Sequence, residues 1–245
     1  MTAVRRIGFA VALLFLAACN QKAATAPAAD HKHAAMPRST RDWTQSVIAT
    51  PEGGFLMGNP AAKVKVVEYG SLTCPHCGAF ARESEPLLVA QYVKPGLVSY
   101  EFRNFARDPL DLAASLLVRC AGVAPFFKLI DQLYADQDQW LGKVEKMSQA
   151  DSTRINALPR TQGVIELVKI AGLDRFVAMR GIPWTRAQLC LTDQKGQQKV
   201  AAIRSEGIQK YSIEGTPTFI INGEKADGVY DFSTMEPRLQ AALGS

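Results

Sequence analysis

Histidine is scarce in this chain: three in 245 residues. Two of them, His31 and His33, lie in a stretch near the N-terminus rich in Ala, Pro and Lys, which leaves His76 to the rest of the sequence. A Ser-His-Asp triad or a Cys-His protease needs an imidazole that reaches the nucleophile from elsewhere in the fold. Histidine-rich zinc hydrolysis needs more imidazoles than one. Both chemistries are excluded. There is no P-loop and no dinucleotide fingerprint, so the usual signatures of nucleotide-driven work and hydride transfer are absent too. No stripe of basic and aromatic residues suggests nucleic acid. The formal charge of +5 falls to +3 once Arg5 and Arg6 are set aside with an N-terminal leader, too little to argue for such a partner. The apolar run Ile7 to Ala18 is too short for a membrane-spanning helix, which needs about 20 residues. No internal repeat is apparent.

Cysteines are also few, five in all, but two of them are placed for chemistry. Thr73-Cys74-Pro75-His76-Cys77 follows Val64 to Tyr69, which reads as a buried strand, and opens a stretch of helical character. Two cysteines two residues apart at a strand-to-helix junction form a redox dithiol signature. The attacking species is a thiolate, and an ordinary thiol with a pKa near ~8.5 is mostly protonated at neutral pH. A helix N-terminus presents unpaired N–H groups that favour negative charge, so Cys74 ionises more easily there. Pro75 suits the first helical turn, where its missing N–H costs nothing. His76 is expected to add positive charge or a donor beside the same sulfur, and Cys77 lies one turn further in. Other readings of the pair are half of a zinc site, for which no second ligand pair follows, and a structural disulfide, which gains little from so tight a loop. Copper chaperoning by Cys74 and Cys77 is a further alternative, though it lacks the distant histidine such sites usually recruit.

The Cys-Pro-His-Cys motif follows Val-Val-Glu68-Tyr-Gly-Ser-Leu-Thr and is answered far downstream by Gly215-Thr216-Pro217-Thr218-Phe219. Together these stretches resemble the DsbA-like branch of the thioredoxin superfamily, from about Gly53 onward. The resemblance implies an α/β thioredoxin-like fold with an inserted α-helical domain. It further implies Cys74 as nucleophile, Cys77 as the buried resolving thiol, and Glu68 as a buried carboxylate that helps move the second cysteine's proton. Thr216-Pro217 matches the family's cis-proline site; read without the resemblance, Pro217 is a strand-edge or turn proline. No cofactor is implied.

Met1 to Ala18 reads as a targeting segment, and Leu16-Ala-Ala-Cys19 resembles a bacterial lipobox in which Cys19 becomes the lipidated first residue; an ordinary export signal is the alternative. Residues 19–52 are then lipidated terminus and flexible tether. Residues 53–107 and 211–245 are expected to form the thioredoxin-like domain around a helical insertion at 108–210. Within the insertion, Leu110 to Ala121, Phe126 to Leu141, Thr161 to Ile170, Trp184 to Leu191 and Lys195 to Lys210 carry helical spacing. Elsewhere Val98, Tyr100 and Phe102 alternate with polar residues as a half-buried strand should. Pro86 interrupts the helix that follows the motif. Asn222-Gly223 turns a hairpin from Thr218–Ile221 into Lys225–Tyr230, and Ser233-Thr-Met-Glu236 reads as a capping box.

Cys120 and Cys190 sit on apolar helical stretches, where buried cysteines act as small hydrophobes. With Cys19 lipidated and Cys74 paired with Cys77, they are also the pair left over in an oxidising compartment. Some DsbA-like proteins carry a second disulfide in the insertion, and a Cys120–Cys190 bridge is expected on both grounds. The functional expectation is an extracytoplasmic thiol:disulfide oxidoreductase held by lipid at the periplasmic face of an envelope membrane. Its partners would be reduced or misoxidised exported proteins and a membrane thiol oxidase of the DsbB type. Dithiol oxidation is the direction favoured. Thr216 weakens that reading towards a reductase or isomerase, because the best-known oxidases place an apolar residue before the cis-proline.

Overall fold

The computed structural model describes residues 41–244, so the expected leader, Cys19 and the tether as far as residue 40 lie outside the described residues. A six-stranded sheet runs in the order β1-β2-β4-β3-β5-β6, with β1 Val47–Ala49, β2 Phe55–Gly58, β3 Val64–Gly70, β4 Val98–Asn104, β5 Thr218–Ile221 and β6 Glu224–Lys225. Strands β3 and β4 are parallel, with Glu68 opposite Phe102, while β5 runs antiparallel to β3 with Phe219 opposite Glu68. The strand period of two sends residues to opposite faces. Val64, Val66, Tyr100, Phe102, Phe219 and Ile221 join the main core, whereas Tyr69 and Ile220 join Phe105, Ile203 and Ile213 on the other side. Full burial of aromatics such as Tyr100 and Phe102 contributes about 1.5–3 kcal/mol apiece.

The parallel pair is connected through α1, Pro75–Glu83, and α2, Glu85–Leu88, which continues into a wider turn at Val89–Val93. The chain breaks at Ser84, two residues before Pro86, as proline requires. Eight helices then separate β4 from β5: α3 Pro109–Cys120, α4 Phe126–Ala135, α5 Gln137–Glu145, α6 Gln149–Asn156, α7 Arg160–Ala171, α8 Leu173–Ala178, α9 Trp184–Thr192 and α10 Gln194–Tyr211. Helix α11, Phe232–Gly244, closes the chain. Among the described residues no helix is long and apolar enough to cross a membrane.

Several expectations need correction. The ordered fold begins before residue 52: the Trp43 N–H bonds to the Lys94 carbonyl at 3.1 Å, and Val47 pairs with Met57 across β1 and β2. Strand β4 is not half-buried, because Ser99, Glu101 and Arg103 are buried as well. Their polarity is met internally, with the Arg103 guanidinium donating to Glu101, Glu206 and the Tyr69 hydroxyl. The expected helix Phe126–Leu141 divides at Asp136 into α4 and α5, and the Trp140 indole N–H bridges the break to the Leu133 carbonyl at 2.9 Å. Helix α6 went unread because Ile155 is its one buried residue, so it carries almost no apolar period. The hairpin turns at Asn222 and Gly223, both left-handed. Its return strand stops at Lys225 rather than Tyr230, because the chain turns again at Gly228 (φ 79°). Asp231 rather than Ser233 caps α11, its carboxylate accepting the Thr234 N–H at 2.8 Å.

Candidate active site

Strand β3 ends in the loop Ser71–Thr73, and Cys74 is the residue immediately before α1, with Pro75 in the helix's first turn. Both sulfurs are present as thiols. Cys74 is 2% exposed and Cys77 fully buried, yet their chemistry diverges. The Cys74 thiol is pulled down to about 5, first by hydrogen bonding from the Cys77 thiol and then by Thr216, the Cys77 N–H and the charge of Arg107, against the cost of desolvation. In the dithiol form Cys74 Sγ donates to the Thr216 carbonyl at 3.1 Å, and the buried Thr216 hydroxyl is unpartnered. A thiolate at Cys74 can recruit that hydroxyl as a donor. Cys77 is raised well above the ordinary thiol range by burial, with Cys74 and Glu68 adding to it. Its sulfur accepts the Ser71 N–H at 3.4 Å. One sulfur is therefore a thiolate at neutral pH and the other a thiol. His76 is exposed on α1, and the Arg107 charge is one that acts on Cys74.

Arg107 belongs to a support the sequence reading missed. Asp111, fully buried at the start of α3, accepts from the Ser71 hydroxyl at 2.6 Å, the Leu72 N–H at 2.9 Å and the Arg107 N–H at 2.9 Å. Burial holds its carboxyl up to about 6 despite those donors. Arg107 in turn donates Nε–H to the Ser71 hydroxyl at 3.0 Å, and Thr73 donates to Asp108 at 2.7 Å. From the helical block, the Gln137 amide donates to the Leu72 and Cys74 carbonyls at 2.9 Å each, and the Tyr134 hydroxyl to the Ser71 carbonyl at 3.0 Å. Gly78 makes room for Gln137, since a Cβ there would overlap its amide oxygen. In the sequence Asp108-Pro109 and Asp111 mark only a helix start, and nothing ties them to residues 71–74.

Glu68 is 1% exposed on β3. Tyr100 donates its hydroxyl to Glu68 Oε2 at 2.5 Å, while Oε1 has no partner. Desolvation pushes this carboxyl up to about 8, so it holds a proton at neutral pH. Gly70 allows the arrangement, because a Cβ there would come within 2.7 Å of Oε1 and collide with the Phe102 ring.

The Thr216–Pro217 peptide bond is cis. It borders a groove of about 570 Å³, with His76 and Ala79 on one wall and Phe219, Val229 and the exposed Tyr230 among its other lining residues. Cys120 and Cys190 are joined by a disulfide between the end of α3 and α9, with Cα atoms 5.9 Å apart. Among the described residues no cluster of three or more His, Cys, Asp or Glu side chains is placed to hold a metal ion, and the copper reading of Cys74 and Cys77 finds no support there.

A thioredoxin family model matches residues 50–241. Among solved structures, a protein-disulfide isomerase from Novosphingobium aromaticivorans is 34% identical with a TM-score of 0.73, over 78% of this chain and 97% of that one. Alpha-DsbA1 of Wolbachia pipientis, at 23% identity and a TM-score of 0.63 over 80% of this chain and 94% of that one, shares the fold. A Rickettsia bellii protein whose name carries the words protein-disulfide oxidoreductase is 28% identical over 193 residues, 78% of this chain and 65% of that one. The chain thus spans just under two thirds of the length of that protein and of its counterparts from Rickettsia prowazekii and Rickettsia felis. The sheet, with its helical block between β4 and β5, is a thioredoxin-like fold with an α-helical insertion.

Proposed function

The chain belongs to the thioredoxin family, and on that premise we propose that it is a protein thiol:disulfide oxidoreductase working as a dithiol oxidase. The observation that carries this is the division between the two sulfurs, with Cys74 down at about 5 and Cys77 well above the thiol range. In the oxidised protein a substrate thiolate attacks Cys74 Sγ, the Cys74–Cys77 bond breaks, and the electron pair leaves on Cys77, which takes up a proton. A second substrate thiolate attacks the substrate sulfur of the mixed disulfide, and Cys74 leaves as a thiolate. The substrate has lost two electrons and the protein holds them as a dithiol. A low thiol pKa makes Cys74 a good leaving group, which favours this direction. The groove beside Thr216-Pro217 receives the chain around the substrate cysteine.

The setting we propose is extracytoplasmic. Cys19 is lipidated, exported proteins are the substrates, and a membrane thiol oxidase of the DsbB type restores the disulfide. The reductase or isomerase reading rests on Thr216. Equilibration of the Cys74–Cys77 couple with glutathione separates the readings. A potential more positive than about −180 mV is expected of an oxidase, whereas one near −270 mV, the range of thioredoxin, would make the protein a reductase.

A further inference from the structure

The oxidase cycle returns a proton to Cys77, a sulfur with no access to solvent, so the proton needs a route. Four further ionisable side chains lie inside the same core: Glu68 on β3, Tyr100 on β4, Glu85 in the first turn of α2 and Tyr134 on α4, each no more than 6% exposed. The Tyr100 hydroxyl donates to Glu68 at 2.5 Å and also acts on Glu85, lowering its carboxyl against the rise from burial. Beyond Glu85 the next titratable group is Asp131 on α4, a solvent-exposed residue close enough for its charge to act on Glu85. On the inner side, the unpartnered Glu68 Oε1 lies against Gly70, and the N–H of the next residue, Ser71, reaches Cys77 Sγ.

We propose that Glu85, through the Tyr100 hydroxyl, passes protons between Glu68 and the surface at Asp131, and so sets the rate at which Cys77 gains or loses its proton. The inference rests on the dithiol-exchange reading above. When Cys77 leaves as a thiolate, the Glu68 carboxylic acid gives it a proton and becomes a carboxylate. Tyr100 gives its hydroxyl proton to Glu68 and takes one from Glu85, and Glu85 is refilled from solvent by way of Asp131. One proton enters and none is left over. Resolution of a mixed disulfide by Cys77 runs the same path outwards.

Among the described residues, the charges of Asp131 and Glu68 act to raise Glu85, and the Tyr100 and Tyr134 phenols interact with it. A helix start favours a carboxylate there, but burial and these neighbours keep the proton on Glu85. A dipole contact therefore does not account for it. Nor does stability, since a buried acid gains less than an apolar side chain of similar volume.

The test is the mixed disulfide of Cys74 with glutathione, whose release by Cys77 is timed in stopped flow from pH 5 to pH 9. Glu85→Gln keeps the shape and lacks the transferable proton; Asp131→Asn changes the surface end alone. A loss of about tenfold at pH 7, at the low end of general acid–base effects, is expected in Glu85→Gln, with a smaller loss in Asp131→Asn and a flattened pH profile in both. The thiolate absorbance of Cys74 at 240 nm should titrate as in the parent, which a merely disturbed fold would not allow. Should Glu85→Gln not fold, Tyr100→Phe with Asp131→Asn carries the same expectation. Rates and profiles within twofold of the parent would overturn the relay while leaving the exchange reading in place. A parent protein that exchanges no thiols with glutathione would overturn both.

Discussion

The depressed thiol at Cys74 couples redox state to stability, and the coupling has a sign and a size. With a folded value of about 5 against 9 for an ordinary thiol, the folded thiolate gains about 2.7 kcal/mol over the thiol at pH 7, two units at 1.36 kcal/mol each. Discounted for solvent screening beside the groove-lining Thr216, to which Cys74 donates, this comes to roughly 2 kcal/mol. Because the folded pKa is the lower one, the gain is full above pH 9, partly present at pH 7, and lost as pH falls through 5. The oxidised protein has no titrating Cys74, so the term belongs to the reduced form alone. Closing the four-residue loop stabilises the oxidised form by about 1.9 kcal/mol in the chain-entropy model, but that contribution does not change with pH. The raised carboxyls of Glu68 and Asp111 are present in both forms and largely cancel in the difference. The reduced-minus-oxidised stability should therefore fall by about 2 kcal/mol between pH 7 and pH 4, which for a domain of this size is about 4–8 °C in Tm. Paired thermal melts of the two forms at each pH measure it. A difference that stays flat across this range, or grows towards acid, would refute the assignment of a stabilised thiolate.

Removing the groups that hold that thiolate should reproduce their ranking. Cys77→Ala should move the Cys74 titration at 240 nm upward more than Arg107→Met does, since the Cys77 hydrogen bond leads the causes and the Arg107 charge follows; the reverse order would refute the assignment. Cys77→Ser should accumulate mixed disulfides on Cys74 and Cys74→Ser far fewer, because the resolving thiol is the buried one; equal trapping on non-reducing gels would mean the roles are wrong. Replacing Cys120 and Cys190 by Ala opens a loop of 70 residues and should cost about 4.4 kcal/mol in urea unfolding. The Cys74–Cys77 potential should stay where it was, and a shift would show that the helical block tunes the dithiol.

The parts of the site that sequence carried are those whose chemistry is local. Cys74 and Cys77 are three positions apart on one helix start, Asn222-Gly223 makes its own turn, and Pro86 breaks its own helix. Glu68 and Thr216-Pro217 were reached only through resemblance. The missing part is long-range: Asp111, Gln137 and Tyr134 act on Ser71, Leu72 and Cys74 across separations of 39 to 65 residues. Asp111 and Asp108 begin α3 in ordinary N-terminal positions, so their second task leaves no mark in the pattern. The same holds for β4, where Glu101 and Arg103 alternate as solvent-facing residues would and are instead buried, Glu101 against Arg103 and Arg103 against Glu206 and Tyr69. Polarity marks exposure only when no internal partner meets it.

That principle also explains how two identical side chains one helical turn apart come to differ so widely. A turn of about 5.4 Å carries the chain from the neighbourhood of the cis-proline, where the Cys77 N–H, Thr216 and Arg107 act on Cys74, into a core where Glu68 raises Cys77 among apolar side chains. Moving charge onto the outer sulfur is favourable, and moving it onto the inner one is costly, so the pair has one direction of attack. The loop Ser71–Thr73 fixes which sulfur is which, because it sets the depth at which α1 begins. Its anchor, Asp111, holds Ser71, Leu72 and Arg107 with one carboxylate. Positioning of the nucleophile and supply of its counter-charge thus depend on a single buried side chain contributed by the helical block. The insertion is in this sense part of the candidate site, and the thioredoxin-like sheet does not complete that site without it.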